Sequence, residues 1–392
     1  MAYMFADEIS KSLHDKRVNS TEIINILVDR FYIECVSEHN QKLLNIAFKK
    51  DIEQKDLDIF LKNFVLEEYS GDRVIMLSYL MKQREDLFFP DTIRPRLTGV
   101  LNYYRFQNLQ LISHFTKICR ELNKNNIFPM ILKGGAMKYL RPDLPRVMGD
   151  IDILVKPDDY PKACEISRNL GYYFEDNPKA HSVDLHLSED NEEGVLDIHR
   201  WIYLNSKYDT GHMHKFFARA TKHKIFGADV YLPSPEDMVF ISLLNMSKNL
   251  YKNTSMKGIL YTLFDCDYLI STKPKFDWQQ ILSNTIETNT QVQMFFAMKF
   301  INKIIPGMLP QELFNSSEIK AKIDKYCNMV MFQRFYVDEL RLICKKIRIK
   351  QALCSFSVLK DYLRYKPKYF LLKMLKKSSW GIKLFLKHFH KI

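Results

Sequence analysis

The sequence predicts an α+β protein in which a small mixed β-sheet is preceded and followed by helical regions. Three features of the 392 residues lead there. Residues 1 to about 95 contain few glycines or prolines and repeat apolar residues at helical spacing. Between Phe128 and Ile202, short apolar runs alternate with helical patterns and turn-rich breaks. From Ser234 onward the helical spacing returns. The expected segments are an N-terminal helical region (1–95), a mixed core (96–233), a C-terminal helical region (234–340) and a basic amphipathic tail (341–392).

In the first region, residues 20–35 open with a Ser/Thr cap and Glu22, and set Ile24, Ile26, Leu27, Phe31 and Ile33 mostly on one broad face. Residues 56–69 and the stretch after Gly71 repeat the pattern, and Phe88-Phe89-Pro90 ends it. Residues 97–124 read as one long amphipathic helix or two, with Leu109, Ile112, Phe115, Cys119 and Leu122 as the apolar stripe. Asn125-Asn126 breaks that pattern, and residues 128–132 form the first strand. A short helix follows Gly134-Gly135, and the second strand runs over 150–155. The next helix starts at Pro157-Asp158-Asp159 and stops at Gly171. Residues 172–174 read as a short strand, and 182–187 with 195–202 as an antiparallel pair. His212, His214 and His223 fall in an apparent loop without matching Cys or carboxylate spacing, so no zinc site is expected. Ser234-Pro235-Glu236-Asp237 starts a helix with proline near its first position and acids in its first turn. A second helix over 258–270 carries Asp265 in an apolar context, and residues 275 to about 350 read as helical again.

An apolar content of 46% with 27% charged residues fits a soluble globular protein with a sizeable core. Seven cysteines, an odd count without a CxxC pair, read as reduced and mostly buried thiols. No signal-peptide pattern and no run long enough for a transmembrane helix is found, so the expected location is cytoplasmic. The net charge of +12 is unevenly spread. Residues 341–392 hold 15 Lys+Arg against one acid, Asp361, which leaves 43 basic and 45 acidic residues elsewhere. That near-neutral body excludes a uniformly basic nucleic-acid-binding enzyme. Residues 365–392 mix Lys with Phe, Leu, Met, Ile and Trp380. They suit a helix packed on the core, a peripheral contact with the inner membrane face or a partner protein, or, less well, a nucleic-acid backbone.

The chemistry concentrates in residues 131–155, ILKGGAMKYLRPDLPRVMGDIDILV. Residues two apart in a strand share a face, so Asp150 and Asp152 project together while Ile151 and Ile153 face the core. Two adjacent carboxylates repel each other unless a cation lies between them, and such oxygen ligands suit Mg2+. Gly134 and Gly135 let the backbone approach a bulky anion, and the helix that follows offers unpaired N–H groups to it. A phosphate cradle beside paired carboxylates is a site for a metal-bound nucleoside triphosphate such as ATP.

Gly-Gly followed by Asp-x-Asp on the next strand resembles the DNA polymerase β-like nucleotidyltransferase superfamily. More narrowly, the chain resembles the bacterial uncharacterised nucleotidyltransferase family through Lys133-Gly134, Arg146, Asp150 with Asp152, and Leu196-Asp197-Ile198-His199. The likeness spans about 97 to 270. It implies a polymerase β-like core, with Asp150, Asp152 and Asp197 as catalytic metal ligands for Mg2+ (or Mn2+). It further implies Lys133, Gly134, Gly135, Arg146 and His199 as nucleotide-binding residues, and an Asp at the place of Asp265. Each has a plain structural reading beside this one. An Asp at a strand start is often a turn residue, Lys133 and Arg146 could pair with core carboxylates, and His199 could be a satisfied core histidine. The expected reaction moves a nucleoside monophosphate from an NTP to an acceptor hydroxyl with release of pyrophosphate. The alternative is a non-catalytic nucleotide- or protein-binding module of the same fold, tethered by its basic tail.

Overall fold

The computed structural model describes most of residues 24–324. Outside the described residues are 1–23, 49–51, 63–70, 143–145, 147, 176–180, 189–193, 203–210, 253–255, 325–392 and a few single positions before residue 38 and after 321. The chain divides into two compact units, Met1–Lys325 and Tyr326–Ile392, and all described residues lie in the first. The basic tail, residues 365–392 included, therefore lies outside the described residues.

The described fold is mixed α+β with a six-stranded sheet, as the alternation of patterns predicts. Helices α1 (Glu38–Phe48), α2 (Gln54–Lys62) and α3 (Gly71–Gln83) precede the core. Helix α4 (Arg94–Lys124) is one unbroken helix of 31 residues. Its buried stripe includes Leu97, Leu111, Phe115, Ile118, Cys119 and Leu122. Leu109, expected in that stripe, is 56% exposed, because Leu111 occupies the core-facing position at that level. Asn126 then adopts a left-handed backbone (φ 60°), which asparagine tolerates better than most residues.

The strands are β1 (Met130–Ile131), β2 (Ile151–Leu154), β3 (Ser182–Leu185), β4 (Leu196–His199), β5 (Thr221–Ile225) and β6 (Ala228–Leu232). Their order across the sheet is β3-β4-β2-β1-β6-β5. Strand β2 runs parallel to β4 and antiparallel to β1, and β1 runs parallel to β6. Helix α5 (Lys133–Leu140) links β1 to β2, and α6 (Tyr160–Asn169) follows β2. Residues 172–174 contribute a single bridge, Tyr173 to His186, rather than a strand.

The apparent loop around the three histidines is a helix and a hairpin. Helix α7 (Gly211–Arg219) contains His212 and His214, and His223 lies on β5. Ile225 pairs with Ala228 across Phe226 (φ 49°) and Gly227 (φ 82°), a two-residue turn with both central residues left-handed. Helix α4 holds this hairpin by side chain to backbone: Thr116 Oγ1 donates to Phe226 O at 2.8 Å, and Asn123 Nδ2 to Asp229 O at 2.8 Å.

Helices α8 (Pro235–Lys252), α9 (Met256–Ser271), α10 (Trp278–Glu287) and α11 (Gln291–Ile304) complete the described fold. Tyr79 of α3 stacks on Phe264 of α9 with ring centroids 4.0 Å apart, and Phe48 of α1 packs against both rings. The first and last helical regions thus share aromatic packing. Among the described residues, no helix is long and apolar enough to cross a membrane.

Both glycines of the Gly-Gly pair are buried in the first turn of α5. A Cβ on Gly135 would lie 2.9 Å from Ile131 Cδ1 and 3.0 Å from Ile151 Cγ2, so this helix seats against β1 and β2 only because the residue is glycine. Gly135→Val is expected to cost about 1–3 kcal/mol, read as a lower urea midpoint at unchanged slope. An unchanged midpoint would show that α5 does not rest on the sheet this closely.

Candidate active site

Three adjacent strands bring the acidic residues into one row. Parallel pairing of β2 with β4 sets Asp152 opposite Asp197 and Leu154 opposite His199. Antiparallel pairing of β3 with β4 sets Asp184 opposite Asp197. Asp184, Asp197 and Asp152 therefore stand side by side at one level of the sheet, and Asp150 sits one pleat repeat earlier than Asp152. Every residue of β2 and β4 is buried, so Asp152, Asp197 and His199 enter the interior with the strands that carry them.

Buried charge requires partners, and Asp152 has two. Lys133 Nζ donates to Asp152 Oδ1. His199 Nε2 lies 2.8 Å from the same oxygen and 2.9 Å from Asp197 Oδ2. Burial pulls the Asp152 carboxyl upward, but the Lys133 ammonium and His199 outweigh it and hold this group well below the usual carboxylate range. The His199 ring feels the reverse balance. Burial favours its neutral form, the neighbouring carboxylates favour the imidazolium, and the result is a pKa pushed up to about 9. For Lys133, too, the carboxylates overcome burial and raise the ammonium above its ordinary value.

Lys133 reaches Asp152 from a strained position. It opens α5 with a left-handed backbone (φ 44°), a conformation costing a side-chain-bearing residue on the order of 1 kcal/mol. No side chain caps the N-terminus of that helix. Its first turn thus carries a cation and backbone donors immediately beside the acidic row.

The outer half of the row is organised differently. Asp150, Asp184 and Asp197 offer ligand oxygens that all lie within 4.8 Å of one another, and so do Asp152, Asp197 and His199. Asp150 is half-buried and Asp184 exposed, so the first group opens to solvent. Burial first, then repulsion from Asp152, pushes Asp150 up to about 6. Burial and the Asp197 charge likewise raise Asp184. Asp197 Oδ1 is withdrawn from solvent and has no hydrogen-bond partner.

Arg146 stands apart from the row. Its Nη1 donates to Asp265 Oδ1 at 2.8 Å, and its guanidinium lies over the Tyr261 ring at 4.6 Å. Burial pushes Asp265 up to about 6 against the pull of Arg146 and Ser242. Gly134 leaves room for this arginine, since a Cβ there would lie 3.1 Å from Arg146 Nε. A separate cavity of about 420 Å³ is lined by Arg146 together with Lys82, Arg105, Asn108 and Lys138 and by none of the acidic row.

The residues singled out from the sequence thus fall into two places. Lys133, Asp150, Asp152, Asp197 and His199 come together, with Gly134 and Gly135 in the turn beside Lys133. Arg146 pairs with Asp265 instead. Asp184 is the member that the sequence reading missed, although the alternation in SVDLHL puts it opposite Val183 and Leu185, on the face that Asp197 shares.

A model of the uncharacterised nucleotidyltransferase family matches residues 74–306, well over half of the chain. This extends the likeness seen in the motifs into α3 at one end and through α11 at the other. Two solved structures resemble the chain in part. One is the antibiotic-resistance factor ANT(2'')-Ia in solution, at 14% identity over 47% of this chain and 93% of that one, with a TM-score of 0.34. The other is an antigenic nucleotidyltransferase-like protein from Paracoccidioides brasiliensis, at 17% identity over 53% of this chain and 97% of that one, with a TM-score of 0.33. No curated protein matches.

The raised pKa values of His199 and Asp150 imply a pH signature for the metal-free protein. His199 and Asp150 both have folded pKa values raised above their unfolded ones, to about 9 and about 6. Such groups stabilise the fold fully below the unfolded pKa and lose that contribution as pH rises through the folded one. With EDTA present, the melting temperature should fall between pH 6.5 and 9, and His199→Gln should flatten that fall. A wild-type melting temperature rising over the same window would contradict the assignment.

Proposed function

The chain belongs to the uncharacterised nucleotidyltransferase family, and from that premise we propose that it moves a nucleoside monophosphate from an NTP to an acceptor hydroxyl, releasing pyrophosphate. The observation that carries this reading is the juxtaposition of a row of four carboxylates with the uncapped N-terminus of the Lys133 helix. Carboxylate oxygens alone on the open side suit a hard divalent cation, and Asp197 Oδ1 is a buried acceptor with no protein partner. When bound, Mg2+ or Mn2+ would neutralise phosphate charge and lower the pKa of the acceptor hydroxyl.

The protein's own groups perform the rest. Lys133 stays cationic against Asp152 and presents positive charge where the triphosphate would lie. The N–H groups of the first turn of α5, Gly134 and Gly135 among them, supply donors to phosphate oxygens. His199 fixes Asp152 and Asp197 relative to each other by contacting both. Arg146, held by Asp265, anchors the segment leading into Asp150 and need not touch the nucleotide. In the transfer, the acceptor hydroxyl gives up its proton to a carboxylate of the row or to water, its oxygen forms a bond to the α-phosphorus, the bond to the bridging oxygen breaks, and pyrophosphate leaves with its electrons.

The test uses purified protein, each α-32P-labelled NTP, Mg2+ or Mn2+, and cell extract as the acceptor pool. Label should pass to an acceptor, and Asp150→Asn should reduce the transfer at least about 100-fold while the variant stays folded. The label then names the acceptor class. No transfer from folded wild type with any NTP would contradict the reading and leave a non-catalytic binding module of this fold.

A further inference from the structure

The cavity lined by Arg146 has an electrostatic character opposite to that of the acidic row. Helix α3 contributes Lys82 to it, α4 contributes Arg105 and Asn108, α5 contributes Lys138, and Arg146 comes from the segment ahead of Asp150. Among the described residues no Asp or Glu lines it. Cations converging with no carboxylate between them repel one another, and a cleft lined by one sign of charge concentrates counter-ions. Lys82 and Arg105 are exposed and make no ion pair among the described residues. Lys138 Nζ donates to a neutral acceptor, Pro142 O. Arg146 is paired with Asp265 through Nη1, but its Nε is buried with no partner. Asn108 Nδ2 donates to Arg146 O at 2.7 Å, and Asn108 Oδ1 is likewise buried with no partner. Two residues lining one cavity thus leave a donor and an acceptor unsatisfied, which marks a place that a bound molecule completes.

We propose that this cavity binds a phosphate ester of a small polar molecule, with Lys82, Arg105, Lys138 and Arg146 serving the phosphate and Asn108 and Asn102 serving hydroxyl groups. Guanidinium forks and ammonium groups are the usual partners of phosphate, whose several oxygens engage more than one cation at once. The volume of about 420 Å³ suits a small molecule. The near-neutral balance of residues 1–340 gives no extended basic surface for a long nucleic acid. With no carboxylate in the lining, binding here needs no divalent cation. Lys138 shares α5 with Lys133, and Arg146 lies four residues ahead of Asp150, so a bound ligand would bear on both elements that flank the acidic row. The site stands whether or not the chain transfers nucleotides.

Calorimetric titration of the full chain in EDTA, with ribose 5-phosphate as the probe and ribose as the control, tests the site without turnover. Wild type should bind ribose 5-phosphate and not ribose. Lys82→Gln combined with Arg105→Gln should weaken that binding at least about tenfold. Both residues are exposed, so the fold should survive, with circular dichroism as the check. Should the pair fail to fold, each single substitution should still weaken binding at least about threefold. Asp150→Asn should bind as wild type does. No binding of ribose 5-phosphate, or wild-type affinity in the folded Lys82/Arg105 variant, would overturn the site. A change confined to Asp150→Asn would put the anion at the acidic row and overturn it too. A phosphorylated RNA oligonucleotide that binds more tightly than ribose 5-phosphate, and loses this in the Lys82/Arg105 variant, would overturn the small-molecule assignment.

Discussion

Asp152 lies on a strand buried along its whole length, between two neighbours, and an ionised carboxylate survives there only with charge and hydrogen bonds supplied to it. Lys133 and His199 supply them from opposite sides, one from the turn after β1 and one from β4. That requirement reaches through the core. It fixes the register of β2 against β4, because a one-residue slip would take Asp152 away from both His199 and Asp197. It also holds Lys133 in a backbone conformation that would otherwise be unfavourable, and so fixes where α5 begins. Removing the Lys133 ammonium would leave the buried Asp152 charge to His199 alone and so destabilise the fold.

From this constraint the remaining parts take their roles. Helix α5 must lie close to the sheet for Lys133 to reach Asp152, and Gly135 permits that approach by giving Ile131 and Ile151 the space of a side chain. Gly134 does the same for Arg146 and Met148. The Gly-Gly pair therefore has a packing function independent of any phosphate. The Arg146–Asp265 pair ties the segment ahead of Asp150 to helix α9, well outside the sheet. The acidic row is thus braced by a glycine-seated helix and by a salt bridge to the C-terminal helices, which accords with the family match running on to residue 306.

Much of this was legible in the sequence because the signals are local. Alternation placed Asp150 with Asp152 and Asp197 with His199, and Asn126 and Gly171, both left-handed, ended their helices as such residues do. The failures have physical causes as well. The β5–β6 hairpin was hidden because TKHKI is polar along most of an edge strand, so it lacks the apolar run that marks a strand. Its turn carries Phe226 at positive φ, where composition alone points elsewhere. Asp184 was passed over because its meaning depends on which residue of β4 it faces, a long-range register that no local pattern specifies. The Arg146–Asp265 pair joins residues 119 positions apart, and only packing can reveal such a partner. Leu109 went to the wrong face because several residues of α4 fit more than one helical stripe.

Nucleotidyl transfer as proposed depends on the acidic row beside the first turn of α5. The most direct measurement is anomalous diffraction from crystals grown with Mn2+ and a non-hydrolysable NTP analogue. The expected result is a peak about 2.1–2.3 Å from carboxylate oxygens of the acidic row, with the triphosphate against the first turn of α5. A peak away from the row, or an analogue bound with no contact to the first turn of α5, would contradict it.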